Sequence, residues 1–205
     1  MKKPILLTAV AIALFAVALA LAGVGLPEYS HRLHPVGLRG ATGLPDAWLF
    51  NAVAFVLPGL CLAWAGQRLG VALRGGRWGA RIGLTLVQLS ALAFALQGVL
   101  PLDPEHLDVG ASRLHAMAWA LWWIAFVPGA LLLAVSARRG FGFAASCVVV
   151  ALLLPLFGVV APVDGWVGFE QRLAFALWFF WWLLAARTLT DTSASAPGSS
   201  PPARK

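Results

Sequence analysis

The stretch 114-LHAMAWALWWIAFVPGALLLAVSA-137 decides the fold class. It contains no Asp, Glu, Lys or Arg, and its single ionisable residue is His115 near its start. About 20 apolar residues in a helix suffice to cross the roughly 30 Å hydrocarbon core of a bilayer. The stretch therefore predicts a transmembrane helix, and its polar start is the first place to look for function.

Five further stretches share this character. The chain has 205 residues, of which 60% are hydrophobic and 11% charged, against about 45–50% and about 25% in soluble domains. The runs are continuously apolar, without the alternation that marks a membrane barrel. We predict an all-α membrane protein with one domain over residues 1–189 and spans at about 4–26, 47–66, 82–101, 114–137, 142–162 and 173–189. Residues 190–205, rich in Ser, Pro and Ala, are predicted to be a disordered tail.

Charge distribution predicts the orientation. One set of span ends carries eleven of the fifteen basic residues, including Arg77, Arg81, Arg138 and Arg139, and the other set carries four. By the positive-inside rule the first set is cytoplasmic, which places both termini inside and the polar loops outside. We expect a multi-pass membrane protein. The net charge of +7 is then explained by topology and anionic lipid, and no nucleic-acid partner is expected.

Related strings suggest an internal repeat. GVGLPE at 23–28, GVLPLD at 98–103 and GVVAPVD at 158–164 each end a span with glycine, proline and an acid. Arg113 and Arg172 are each followed by tryptophans at offsets of six, nine and ten. These patterns predict three helical hairpins with outward tips. The first span resembles a signal peptide with Ala-x-Ala sites, but its membership of the repeat favours retention.

His115 and Asp103 are the candidate catalytic residues. His115 lies at the start of the fourth span and shares a helix face with Trp119 and Trp122, and ionisable residues at membrane depth are functional hypotheses. The alternative is a structural histidine bonded to Asp103 or to a loop carbonyl. Asp103 precedes Pro104 and resembles a helix N-cap, which competes with a catalytic role.

Other polar and aromatic positions are candidate ligand contacts or metal ligands. Asn51, one turn below the outer surface, either binds across helices or lines a site, and Arg172 and Trp178 are the repeat counterparts of Arg113 and Trp119. His31 and His34 would stack on one face with Glu28 if that loop were helical. We expect no cofactor; a zinc ion held by His31, His34 and His115 is the less favoured alternative.

The chain resembles an uncharacterised six-span family of bacterial and archaeal membrane proteins, domain of unknown function 998. The residues that carry the resemblance are His34 to Gly40, Phe50-Asn51, Leu100 to Asp103, His115, Gly168 and Gln171-Arg172. The chain departs from the family pattern at Gly37, where a serine is often found, and at Leu100, where an aromatic is usual. The resemblance implies a helical inner-membrane protein with an outer polar cluster around Asp103 and His115, and it brings no established activity.

Three hypotheses for the function remain open. The first is binding or handling of a lipid or amphipathic small molecule at the outer polar cluster, with the Trp faces as its apolar wall. The second is an intramembrane hydrolase or acyl-transfer enzyme in which Asp103 and His115 act together, with or without a metal. The third is a scaffold subunit that packs against another membrane protein. Membrane lipid is the expected partner in the first case.

Overall fold

The structure of the chain, a computed structural model, describes residues 3–73, 77–108, 110–160 and 163–190. Most of the predicted tail, from residue 191 onward, lies outside the described residues. Thr190 is the exception, since it is the last residue of a helix and its Oγ1 donates to the Ala186 carbonyl at 2.7 Å.

Helices dominate the described part of the chain. They are α1 Lys3–Leu21, α2 Val36–Arg39, α3 Ala47–Ala72, α4 Trp78–Val99, α5 Gly110–Ser136, α6 Phe141–Pro155 and α7 Val167–Thr190. A π-helical segment at Leu156–Val160 extends α6. All except the short α2 are long and apolar enough to cross a membrane, and the described residues contain no strand. The predicted all-α class with six spans is confirmed.

The helix ends differ from the predicted spans by up to six residues. α1 ends at Leu21 in a series of turns that includes Gly25 at a φ of 75°, a conformation that favours glycine. α3 continues to Ala72 and α5 already begins at Gly110. Hydropathy marks the part of a helix that suits hydrocarbon, whereas its backbone hydrogen bonds continue into the polar interface.

The long helices form a closed ring in chain order. Each packs on the next one along the sequence, and α7 returns to pack on α1 and, less extensively, on α3. Such pairing agrees with the predicted hairpins. The internal repeat itself stays a prediction, because short loops alone make sequence neighbours pack together.

Two Pro-Gly pairs lie against α4. A Cβ at Gly59 of α3 would be 2.7 Å from the Ala91 carbonyl oxygen, and one at Gly129 of α5 would be 2.9 Å from the Gly83 carbonyl oxygen. Small residues at these points let helix backbones approach closely. Pro58 also leaves the Ala54 carbonyl without its usual N–H donor, and this carbonyl lies within the π-helical segment Ala52–Val56, which ends two residues before Pro58.

Aromatic rings fill the centre of the ring of helices. Phe94 of α4 has its ring centroid 4.9 Å from that of Trp178 and 5.2 Å from that of Phe175, both on α7. Trp122 of α5 lies 5.0 Å from Phe175, and Phe15 of α1 lies 5.5 Å from it. Because aromatic side chains bury a large apolar area each, this cluster ties four helices together.

Candidate functional site

Loops 22–46, 100–108 and 163–166 meet at one end of the bundle, which we call the acidic end. The Thr42 backbone N–H donates to the Leu102 carbonyl at 2.8 Å, and the Phe169 N–H donates to the Arg32 carbonyl at 3.2 Å. These long-range bonds hold the first loop against the second loop and against the start of α7. A site built from residues of these three loops is therefore formed at this end.

Arg172 ties the first loop to α7. Its Nη1 donates to the carbonyl oxygens of His34 at 2.9 Å and Gly168 at 2.6 Å, and its Nη2 donates to the Tyr29 hydroxyl. The neighbouring Gln171 accepts a hydrogen bond from the Val36 N–H through Oε1. Two of the three guanidinium nitrogens of Arg172, a predicted ligand contact, are thus bonded to the protein itself, whereas its buried Nε has no hydrogen-bond partner.

Tyr29 lies between the two histidines of the first loop. Its ring centroid is 5.3 Å from that of His31 and 5.7 Å from that of His34. Burial raises the pKa of the Tyr29 phenol above 10.0, although Arg172 acts against this shift. Burial, followed by the charge of Arg172, lowers the pKa of His31 below 6.5. This loop is a hydrogen-bonded aromatic cluster formed from turns, so the helical stacking of Glu28, His31 and His34 does not occur.

The ligand set of a metal ion is not assembled in the described residues, where no group of three or more His, Cys, Asp or Glu side chains could hold one. Nδ1 of His34 accepts the Ser30 N–H at 3.1 Å, which leaves that ring only its other nitrogen. The zinc set His31, His34 and His115 therefore gains no support from the side-chain arrangement.

His115 is buried in the second turn of α5 with a fixed tautomer. Its Nδ1 lies 2.8 Å from the Leu100 carbonyl oxygen and 3.0 Å from the Gln97 carbonyl oxygen. Carbonyl oxygens only accept hydrogen bonds, so Nδ1 carries the proton and donates to them. Nε2 therefore keeps a free lone pair, which makes it an acceptor or a base. The bond to a loop carbonyl, which the structural alternative requires, is present through Leu100.

A cleft of about 250 Å³ opens beside this imidazole. Its polar lining residues are His115, Glu170 and Gln171, and its apolar lining residues are Leu102, Ala116, Trp119, Phe157, Gly158 and Val167. Phe157 and Gly158 belong to the π-helical end of α6, a conformation that is frequent at functional sites. The cleft joins an apolar wall to a few polar groups, as small-molecule sites commonly do.

Glu170 is a buried carboxylate at this cleft. Both of its oxygens accept the Val163 N–H, at 3.1 and 3.2 Å. It also lies in the first turn of α7, where the helix dipole favours negative charge. Among the described residues, Glu170 forms no ion pair. The hydrogen bonds from Val163 and the helix dipole therefore stabilise the carboxylate in place of a basic partner.

Asp103 does not join His115. Its Oδ1 accepts the Glu105 N–H at 3.0 Å, and its Oδ2 lies 3.2 Å from His106 Nδ1. The Glu105 N–H, and to a lesser degree His106, holds the Asp103 pKa below 3.8. The predicted N-cap is wrong, because Asp103 begins a turn and α5 starts only at Gly110. The backbone carbonyls of Gln97 and Leu100 orient His115, which is the role predicted for Asp103.

Of the remaining candidate residues, one lines the cleft and the others are buried in the interior of the bundle. Trp119 lines the cleft and stacks on Trp122 with centroids 4.9 Å apart. Trp122 and Trp178 are fully buried within the aromatic centre and support that wall from behind. Asn51 is buried as well, and its Nδ2 donates to the Gly40 carbonyl at 2.8 Å. It fixes the first loop on α3 and does not line the cleft.

Sequence reasoning missed Glu170 and Gln171 as cleft residues. A usable signal was present, since the Glu-Gln-Arg triplet at 170–172 directly precedes the predicted last span, and charged residues are costly at membrane depth. Arg39 was also missed. It is buried, and its Nε and Nη1 each donate to a backbone carbonyl, those of Ala22 and Pro45, both at 2.9 Å.

Together, fold and site define a multi-pass helical membrane protein with a mixed polar and apolar cleft at one end of its bundle. The model of the family described as "Protein of unknown function (DUF998)" matches residues 9–188. The chain belongs to this family, as its resemblance indicated. Neither a curated protein nor a solved structure matches the chain.

Proposed function

We propose that the protein binds an amphipathic molecule, a lipid or a lipid-like compound, in the cleft beside His115. The observation that carries this proposal is the cleft's composition: three polar side chains lie beside a wall formed by Trp119, Phe157 and other apolar groups. An amphipathic ligand places its polar head group against the polar side chains and its apolar tail along the apolar wall.

The polar groups select the kind of head group. We assign the head group to two residues of the cleft lining: His115, whose Nε2 keeps a lone pair, and Glu170, which carries a carboxylate. Both are hydrogen-bond acceptors, so they complement a head group rich in donors, such as hydroxyls or an ammonium. Gln171 uses its Oε1 for the Val36 N–H, and its amide NH₂ is the donor that the cleft adds. The ligand class is therefore a hydroxylated or amine-bearing amphiphile.

Orientation supports an outer-leaflet or periplasmic ligand. The acidic end holds Asp103, Glu105 and Glu170, whereas Arg77, Arg81, Arg138 and Arg139 lie at the opposite end. Under the positive-inside rule the opposite end is cytoplasmic, with both termini inside, and the cleft faces outward. The proposed location is the bacterial inner membrane.

A second candidate is hydrolysis of such an amphiphile. It is favoured by one observation, the fixed tautomer of His115, which leaves Nε2 unprotonated and able to take a proton from water. The described residues give this imidazole no hydroxyl or thiol hydrogen-bond partner. Water is then the nucleophile. The carbonyls of Gln97 and Leu100 orient the imidazole, the role predicted for Asp103, and Glu170 is the carboxylate that lines the same cleft.

The decisive experiment is a lipid and metal inventory of the protein purified in mild detergent. We expect a co-purifying amphiphile that is retained by the wild type and depleted in His115→Ala and Trp119→Ala. His106→Ala is the matched control, because His106 lies in a loop at the same end but does not line the cleft. Equal ligand content in all four proteins would refute the binding proposal. A constant co-purifying protein with no such ligand would favour the scaffold hypothesis instead.

A further inference from the structure

A second groove lies on the lipid-facing side of the bundle, away from the His115 cleft. It has a volume of about 330 Å³ and runs between α1 and α3. Its wall is apolar, formed by Val17, Ala18, Leu21, Val24, Leu49, Phe50 and Val53, and its two charged residues are Arg39 and Asp46. None of these residues lines the cleft.

Arg39 is buried, and among the described residues its guanidinium forms no ion pair. Its side chain is 7% exposed, and its guanidinium lies 5.4 Å from the centroid of the Phe50 ring. Nε and Nη1 donate to the carbonyls of Ala22 and Pro45, and no described residue accepts from Nη2. Carbonyls satisfy hydrogen bonds but carry no net negative charge. A buried charge without an opposite charge is costly, so this guanidinium is complementary to an anion.

Asp46 gives the groove a second and opposite charge. It lines the groove beside α3 and is exposed. Within the described residues its carboxylate forms no ion pair with Arg39, since the two are not within 4.0 Å. The groove thus presents one cation and one anion that do not neutralise each other, next to an apolar channel.

We propose that this groove binds an ethanolamine phospholipid from the leaflet at the acidic end. The phosphate contacts the Arg39 guanidinium, the ammonium contacts Asp46, and an acyl chain lies along Val17, Leu21 and Val53. Nη2 suits the phosphate because it has no acceptor among the described residues, and hydrogen bonds from a guanidinium to a phosphate are charge-assisted. Charge complementarity selects this occupant, because a purely apolar lipid would leave both charged groups unpaired.

The test measures lipid binding to the full chain in detergent by native mass spectrometry. Phosphatidylethanolamine, phosphatidylglycerol and diacylglycerol are the three probes. We expect one tightly retained phosphatidylethanolamine, bound more tightly than phosphatidylglycerol and far more tightly than diacylglycerol. Arg39→Gln should weaken phosphatidylethanolamine binding by roughly tenfold. Asp46→Asn should remove the preference over phosphatidylglycerol but keep phosphate-dependent binding.

A pair of groove variants covers the case in which Arg39→Gln fails to fold. Val17→Trp fills the groove from an exposed position and should abolish retention. Val10→Trp is its control, because Val10 lies two turns earlier on the same exposed face of α1 but outside the groove. Diacylglycerol binding equal to that of phosphatidylethanolamine, or unchanged binding in Val17→Trp, would overturn the proposal. His115→Ala tests the other site and should leave this binding intact.

Discussion

Gly37 lies directly against the imidazole of His115. A Cβ built at Gly37 would be 2.9 Å from His115 Nε2 and 3.3 Å from the Leu102 side chain. Glycine at this position therefore leaves space on the side of the ring that carries the free lone pair. Because Gly37 has no side chain, it supplies no hydroxyl beside the nitrogen that would activate it. The His115 site is accordingly better suited to binding, or to activating water, than to a serine mechanism.

Gly37→Ala should impair the cleft. The added methyl group must displace His115 or Leu102, and such overpacking costs about 1–3 kcal/mol. We expect lower retention of the co-purifying amphiphile and a lower melting temperature in detergent. Gly142→Ala is the control, since a Cβ at Gly142 meets nothing within 4 Å. Equal behaviour of the two variants would show that the space beside His115 has no role.

Asp103→Asn should leave the amphiphile bound. The carboxylate contacts Glu105 and His106 and not His115, so its charge does not orient the imidazole. Because the folded protein lowers the Asp103 pKa below 3.8, ionised Asp103 adds stability at neutral pH, and this contribution is lost as pH falls through that lowered pKa. The stability of Asp103→Asn should therefore fall less than that of the wild type as pH decreases, which thermal unfolding at several pH values measures. Loss of ligand in Asp103→Asn at neutral pH would restore the predicted Asp103–His115 pair.

Tyr29 offers a direct optical measurement, because it is the chain's single tyrosine. The midpoint of its phenolate absorbance should lie above pH 10.0, since burial raises its pKa. The folded state then holds this proton more tightly than the unfolded state, so stability falls as pH rises above 10. Arg172→Gln should raise the pKa further, because Arg172 lowers it through its charge and its hydrogen bond. A downward shift in that variant would contradict the described contact.

Gly129→Ala should weaken the packing of α5 on α4. A Cβ there would be 2.9 Å from the Gly83 carbonyl oxygen and from the Val87 side chain, so the two backbones must separate. We expect destabilisation of about 1–3 kcal/mol, although alanine alone favours a helix by about 1 kcal/mol. Gly70→Ala is the matched control, because its Cβ would meet only Leu84 at 3.7 Å. Denaturant unfolding in micelles distinguishes them, and a loss of stability in Gly70→Ala as large as in Gly129→Ala would refute the explanation.

The sequence predicted the fold class well and the site only in part. His115 was identified because a lone ionisable residue in an apolar run is conspicuous, and Trp119 followed from its spacing of four residues. Asp103 was expected beside His115 because the two are twelve residues apart across one hairpin tip. It points elsewhere because a turn after Pro101 directs its carboxylate to the nearby Glu105 N–H. Glu170 was missed since its contact with Val163 depends on how the last loop folds.

The sequence alone determined that this is a six-span helical membrane protein, because transfer of an apolar run into hydrocarbon is a local free energy. The tertiary structure decided which polar groups meet. His115 finds its partners 15 and 18 residues away, and Arg172 binds the carbonyl of His34 across 138 residues. The acceptors in those contacts are backbone carbonyls, which every residue carries, so no pattern of side chains in the sequence predicts them. The cleft and the Arg39 groove arise from the way helices close into a ring.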